Sequence, residues 1–233
     1  MNNDLQNVNP YASGRRTAGV VVSQHRVMRY SFWLLALSMI PTIFGAWLGL
    51  QLNLVAMRPG VSLVVFLVGA FGLMFAIERY KNSSVGVALL LGFTFFMGLM
   101  LARLLAFVLG LSNGASLIML AFGGTPIIFG AMATVATVSK RDFSGLGKWL
   151  MIGALVILVA GIANVFLQLP ALMLTFSVLA IAIFSGFMLF DVQRVINGGE
   201  TNYISATLAI YLDIYNVFSN LLAIFGIFGG SRD

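Results

Sequence analysis

Apolar residues along this chain gather into seven runs separated by short polar breaks. The runs fall at residues 30–52, 60–78, 85–108, 115–138, 147–168, 171–193 and 203–228. Each holds roughly twenty residues, enough to cross a hydrocarbon layer about 30 Å thick as a helix. Backbone amides in lipid find no water, so spans of this kind close their hydrogen bonds within a helix. The period-two alternation of an outer-membrane barrel is absent. After the second run the breaks read RYKNSS, LSNG, SKRDFSGLG, a bare turn at Leu169–Pro170, and NGGETN. The pattern predicts an all-α membrane protein with two parts: a mobile cytoplasmic tail, residues 1–29, and a seven-span transmembrane domain, residues 30–233.

Composition agrees. Hydrophobic residues make up 60% of the 233 and charged ones 9%, against about 25% charged in an ordinary soluble domain. The chain lacks the polar surface that such a fold needs. Its net charge of +6 is spread between the apolar runs rather than clustered with aromatics, so it reads as a topology signal and not as a nucleic-acid surface. Of the 13 basic residues, ten (Arg15, Arg16, Arg26, Arg29, Arg79, Lys81, Lys140, Arg141, Lys148 and Arg194) share one side if there are seven spans, leaving Arg58, Arg103 and Arg232 for the other. That bias predicts a cytoplasmic N-terminus and a periplasmic C-terminus. Trp33, Trp149 and Tyr203 stand near span ends, where amphipathic rings favour the headgroup region.

Several chemistries are excluded. There is no cysteine, so disulfides, iron–sulfur clusters and thiolate zinc sites are ruled out. His25 is the one histidine and lies in the tail, so HExxH zinc chemistry is ruled out too. No nucleophile elbow or phosphate loop stands in a suitable context, and no enzyme is expected. Gly45/Gly49 and Gly226/Gly230 have the small-xxx-small spacing of close helix packing. Pro41 and Pro126 lie inside spans as kink positions.

The polar residues that remain inside spans carry the functional question. Seven acids exist: Asp4, Glu78, Asp142, Asp191, Glu200, Asp213 and Asp233. Glu78 adjoins Arg79 at a span end and reads first as an interfacial pair. Asp213 lies about ten residues into its helix, or roughly 15 Å at the helical rise, where an ionised carboxylate costs on the order of 2.5–3.5 kcal/mol. Asn216 and Asn220 follow it on one stripe, with Ala206 and Ala209 before it. A polar, small-residue stripe of this kind suits a helix enclosed by others and lining a wet crevice. Asp191 lies nearer the cytoplasmic end, behind Phe184, Phe187 and Met188, in a setting that favours the protonated carboxyl. If the two acids meet, they titrate as a unit. Straight parallel helices would leave Asp213 several ångströms deeper than Asp191, so contact needs tilt or an uneven joint. Asn164, Gln168 and Thr94 either line the same cavity or hydrogen-bond between helices. Arg79, on the side of Asp191, is placed to neutralise a carboxylate.

The stretches FDVQRVINGG, YISATLAIYLDIYNVFSNLLAIFG and ANVFLQLPAL, with GGETNYISATLAIY and the terminal GGSRD, resemble the Bax inhibitor-1 (transmembrane Bax inhibitor motif) family, its bacterial YccA-like branch in particular. The resemblance implies two three-helix layers around a central C-terminal helix. It also implies a pH-sensitive calcium leak channel gated by a proton-sharing pair. Asp191 and Asp213 match that pair, and Arg79 matches an arginine that exchanges partners with it. Candidate pore-lining residues are Asn216, Asn220, Asn164 and Glu78. Calcium enters as a permeant or transiently bound ion near Asp191 and Asp213, with no firm ligand set and no cofactor. The alternative that the branch implies is a modulator of the AAA+ protease FtsH, engaged through residues 1–29. This chain keeps both acids, which favours the channel.

Overall fold

The computed structural model describes residues 10–52 and 54–229, with side chains from residue 25 onward, residue 55 excepted. Seven α-helices follow in order: α1 (Pro10–Gln51), α2 (Pro59–Tyr80), α3 (Ser84–Leu109), α4 (Gly114–Val138), α5 (Leu146–Leu167), α6 (Pro170–Ile196) and α7 (Tyr203–Gly229), with a 3-10 turn at Leu54–Ala56 before α2. Each is long and apolar enough to cross a membrane, the first over His25–Gln51, and no strand occurs among the described residues. The spans begin and end within a few residues of the apolar runs, except that the first reaches back to His25. Of the expected tail 1–29, residues 1–9 lie outside the described residues, and from Pro10 the backbone is helical and continuous with the first span.

The helices form two layers. In one, α3 is flanked by α1 and α2; in the other, α6 is flanked by α4 and α5. Helix α7 lies between them, against α6, α4, α1 and α3. This is the expected architecture, and the pattern of burial follows from it. Central α7 buries Ile204, Ala206, Leu208, Ile210, Val217 and Leu222, while outermost α5 buries no residue fully. Trp149, Leu155, Val156 and Val159 of α5 project outward, which an apolar solvent tolerates and water would not. Trp33 also projects outward. Tyr203 does not: it is half-buried, with its ring 6.0 Å from that of Tyr30.

Close approach of α1 and α3 explains two glycines. A Cβ at Gly45 would lie 2.2 Å from the Phe95 carbonyl oxygen, and one at Gly98 would lie 2.1 Å from that of Thr42. Neither position has room for a side chain, so the two backbones touch. Gly230 of the other expected pair lies outside the described residues. The bare turn between α5 and α6 is local chemistry. Gln168 ends α5 in the left-handed region (φ 52°), Leu169 N–H donates to Asn164 Oδ1 at 3.0 Å, and Pro170 starts α6 where its missing N–H costs nothing.

Candidate functional site

The joint between α6 and α7 sets the register of the two acids. Helix α6 closes in a Schellman motif: Gly198 N–H bonds to Val195 O at 3.2 Å and Gly199 N–H to Arg194 O at 2.8 Å. Gly198 takes φ 75°, which glycine adopts at no steric cost. Asn202 then caps α7, its Oδ1 accepting the N–H groups of Ile204 (2.9 Å) and Ser205 (3.1 Å). Its amide nitrogen donates to Lys81 O (3.0 Å) and Asn82 Oδ1 (2.8 Å), tying this joint to the one between α2 and α3. Arg194 pairs with Glu200 at 3.4 Å across the loop.

On this frame the carboxyl groups of Asp191 and Asp213 lie within hydrogen-bonding reach of each other. Asp191 is 9% exposed and Asp213 3%. The axial offset that straight helices impose is reduced by side-chain direction. In a helix, side chains lean toward the N-terminus. Asp191 therefore leans away from the joint and Asp213 toward it, and in an antiparallel pair these directions converge. Oδ2 of Asp213 has no hydrogen-bond partner in the protein. Phe187 and Met188, both buried, lie one turn back on α6.

Other predicted residues divide between the two ends of the bundle. Asn164, Asn216 and Asn220 line one cavity of about 870 Å³, together with Gln168. Asn216 and Asn220 donate to carbonyls of their own helix, those of Leu212 and Asn216, each at 2.8 Å. Glu78 is not there. It is exposed at the other end, hydrogen-bonded to Lys81 and accepting from Ser205 Oγ at 3.3 Å. Its ionic partner is thus Lys81, one helical turn on, rather than the adjacent Arg79, because residues three apart share a helix face and neighbours do not. The Glu78 carboxylate holds the Lys81 amine above its usual range. Arg79 itself is exposed and bonds to neither acid in this structure. Arg194 is the basic group whose charge acts on Asp191. Thr94 is buried and donates to Leu91 O at 3.0 Å within its own helix.

Sequence reasoning passed over four features. Gln193 is buried and bonded at both ends, accepting Phe143 N–H at 2.7 Å and donating to Arg141 O at 2.8 Å. It clamps the α4–α5 joint to α6 two residues from Asp191; a glutamine inside FDVQRV was the available signal. In that joint, hydrogen bonds from Ser144 N–H (2.9 Å) and Oγ (3.0 Å) hold the Asp142 carboxyl below its usual range. Tyr211 and Tyr215 stack with centroids 6.2 Å apart. Tyr211 shares a 2.9 Å hydrogen bond with Thr42 Oγ1, and Tyr215 donates to Met97 O at 3.2 Å. These bonds fix the rotation of α7 against α1 and α3, so that Asp213 faces α6. Arg103 lines the large cavity and donates to Met57 O at 3.2 Å.

The profile of the family described as "Inhibitor of apoptosis-promoting Bax1" matches residues 24–230. The chain is 38% identical over 213 residues to the Escherichia coli K12 protein named "Modulator of FtsH protease YccA", covering 91% of this chain and 94% of that one. It is as similar to its counterpart in E. coli O6:H1, named "Inner membrane protein YccA". An "Uncharacterized membrane protein" of Vibrio cholerae is 34% identical over 203 residues, covering 87% of this chain and 90% of that one. Spans, layers and similarity over nearly the whole length agree, and the chain belongs to the Bax inhibitor-1 family.

Proposed function

We propose that this integral membrane protein modulates an FtsH-type membrane protease. One observation carries the reading: the similarity to a protein named as a modulator of that protease extends over nine-tenths of the chain. The inner membrane is the proposed location, after the name of the second relative, and the excess of Lys and Arg at one end of the bundle orients the N-terminus to the cytoplasm. The segment before the first span is the handle. Full-length protein and a variant lacking residues 1–24, which leaves the span from His25 intact, are each co-purified with FtsH, and proteolysis of a membrane substrate is timed with each. The full chain changes the rate and the truncated one does not. An unchanged rate with the full chain ends this reading.

A second reading, a proton-responsive cation leak, is favoured by the acid pair. Two carboxyl groups in hydrogen-bonding reach need a proton between them, and Oδ2 of Asp213 has no other partner. With the proton in place the pair fastens α7 to α6. Without it, repulsion separates them, and the large cavity, whose lining includes Tyr215 and Asn216, extends inward past them. Arg79 is the candidate to capture a released carboxylate. Calcium, which takes oxygen ligands, is the proposed ion. Asp213→Asn is expected to abolish the pH dependence of calcium flux into proteoliposomes while leaving protease modulation intact. A pH profile identical to that of the unaltered chain removes the pair from gating.

A further inference from the structure

Helix α7 fills the space between the layers unevenly. It meets α2 only marginally and α5 not at all. At that edge the layers enclose the cavity of about 870 Å³, walled by α2, α3, α5, α6 and α7, within the 300–1,000 Å³ range of small-molecule sites. Its lining residues come from the start of α2 and α6 and the ends of α3, α5 and α7, so it belongs to the membrane face opposite the acid pair.

The cavity is amphipathic and carries one sign of charge. Phe66, Ile157 and Phe176 supply apolar wall, while Arg103, Asn164 and Gln168 supply polar groups, and no carboxylate is among the lining residues. Arg103 lies in α3 six residues before its end, roughly 9 Å from it along the axis. A guanidinium has five donor hydrogens. One nitrogen of this one bonds to Met57 O, and no carboxylate comes within ion-pair distance among the described residues. With a single carbonyl contact and no acidic partner, this guanidinium keeps donors for an anion, and a planar fork of donors matches phosphate oxygens. The cavity lies where the layers part toward the outer helices α2 and α5, which expose a run of apolar side chains, Val64, Val68, Phe71, Leu155 and Val159 among them.

We propose that this cavity binds a phosphate group on Arg103, and that the group belongs to an anionic phospholipid with one acyl chain lying along Phe66, Ile157 and Phe176. Free inorganic phosphate is the other source of the same chemistry. Gly161 provides an independent handle: it lines the cavity, and a Cβ there would meet nothing within 4 Å. A Cβ therefore fits there without displacing protein atoms, and a larger side chain at this lining position is the means of narrowing the cavity.

Purified full-length protein in neutral detergent is titrated with palmitoyl lysophosphatidylglycerol and, separately, with inorganic phosphate, and bound ligand is read by native mass spectrometry. Saturable one-site binding of the lipid is expected, weakened at least about tenfold by Arg103→Gln, the loss of a charge-assisted pair, and as strongly by Gly161→Leu. Arg58→Gln, an exposed cation on the same face outside the cavity lining, leaves it unchanged. Displacement of the lipid by millimolar inorganic phosphate, lost in the same two variants, overturns the lipid in favour of a free anion. Lipid binding indifferent to both variants overturns the site. If Arg103→Gln does not fold, Gly161→Leu decides the matter alone.

Discussion

The two ends of α7 are built differently. At the acid end, all three joints are fastened: the Asn202 side chain holds the α2–α3 joint, the Gln193 side chain holds the α4–α5 joint, and the main-chain bonds of a Schellman motif close α6. Asp191 and Asp213 are enclosed there with almost no exposed surface. At the other end the amides of Asn216 and Asn220 turn back onto their own helix, and space is left between the layers. A buried carboxylate tolerates little looseness, because each unsatisfied charge in a low dielectric is costly. A cavity edged by amides that bond within their own helix tolerates a good deal. The protein is stiff where it holds charge and open where it has room for a guest.

Substitutions that fill space test this contrast most strongly. A Cβ at Gly86, at the acid end, would lie 2.5 Å from the Tyr80 carbonyl oxygen, so Gly86→Val is expected to destabilise by about 3 kcal/mol, read as a large fall in thermal midpoint in detergent. Gln193→Leu removes two hydrogen bonds and strands the Phe143 N–H and Arg141 carbonyl, a loss of about 2 kcal/mol. Hydrogen exchange at residues 141–145 should quicken with it. Asn202→Ala removes the α7 cap and the tie to the α2–α3 joint, for about 1.5 kcal/mol, with faster exchange in the first turn of α7. At the open end, Gly161→Ala is expected to change stability by less than about 0.5 kcal/mol. A penalty there as large as that of Gly86→Val would abolish the contrast.

How much of this the sequence reveals depends on the kind of information involved. The spans are legible because twenty-residue apolar runs have one solution in lipid, and the enclosure of α7 is legible because Asp213, Asn216 and Asn220 share a stripe that lipid would penalise. Side-chain pairing at the surface is less so. Glu78 takes Lys81 rather than Arg79, a choice set by helix phase and not by adjacency. Arg79 stands exposed, and nothing in a one-dimensional pattern fixes the rotamer of a long cation at a helix end. The clamp by Gln193 was hidden because its partners are backbone groups 50 and 52 positions away, which no local spacing encodes. The cavity was hidden for a similar reason. It arises from where α7 is missing, between α2 and α5, and polar letters such as Asn164 and Gln168 read the same whether they face a void or a neighbouring helix.

The Schellman closure at Gly198 bears on biogenesis. It fixes the sharp reversal between α6 and α7 using bonds that span six residues at most, so the two segments can enter the bilayer from the translocon as one preformed hairpin. Inserted singly, each would expose an acid to acyl chains. Inserted together, each acid arrives already shielded by the other's helix, and the last quarter of the polypeptide does not have to wait for the five preceding helices before its polar cargo is hidden.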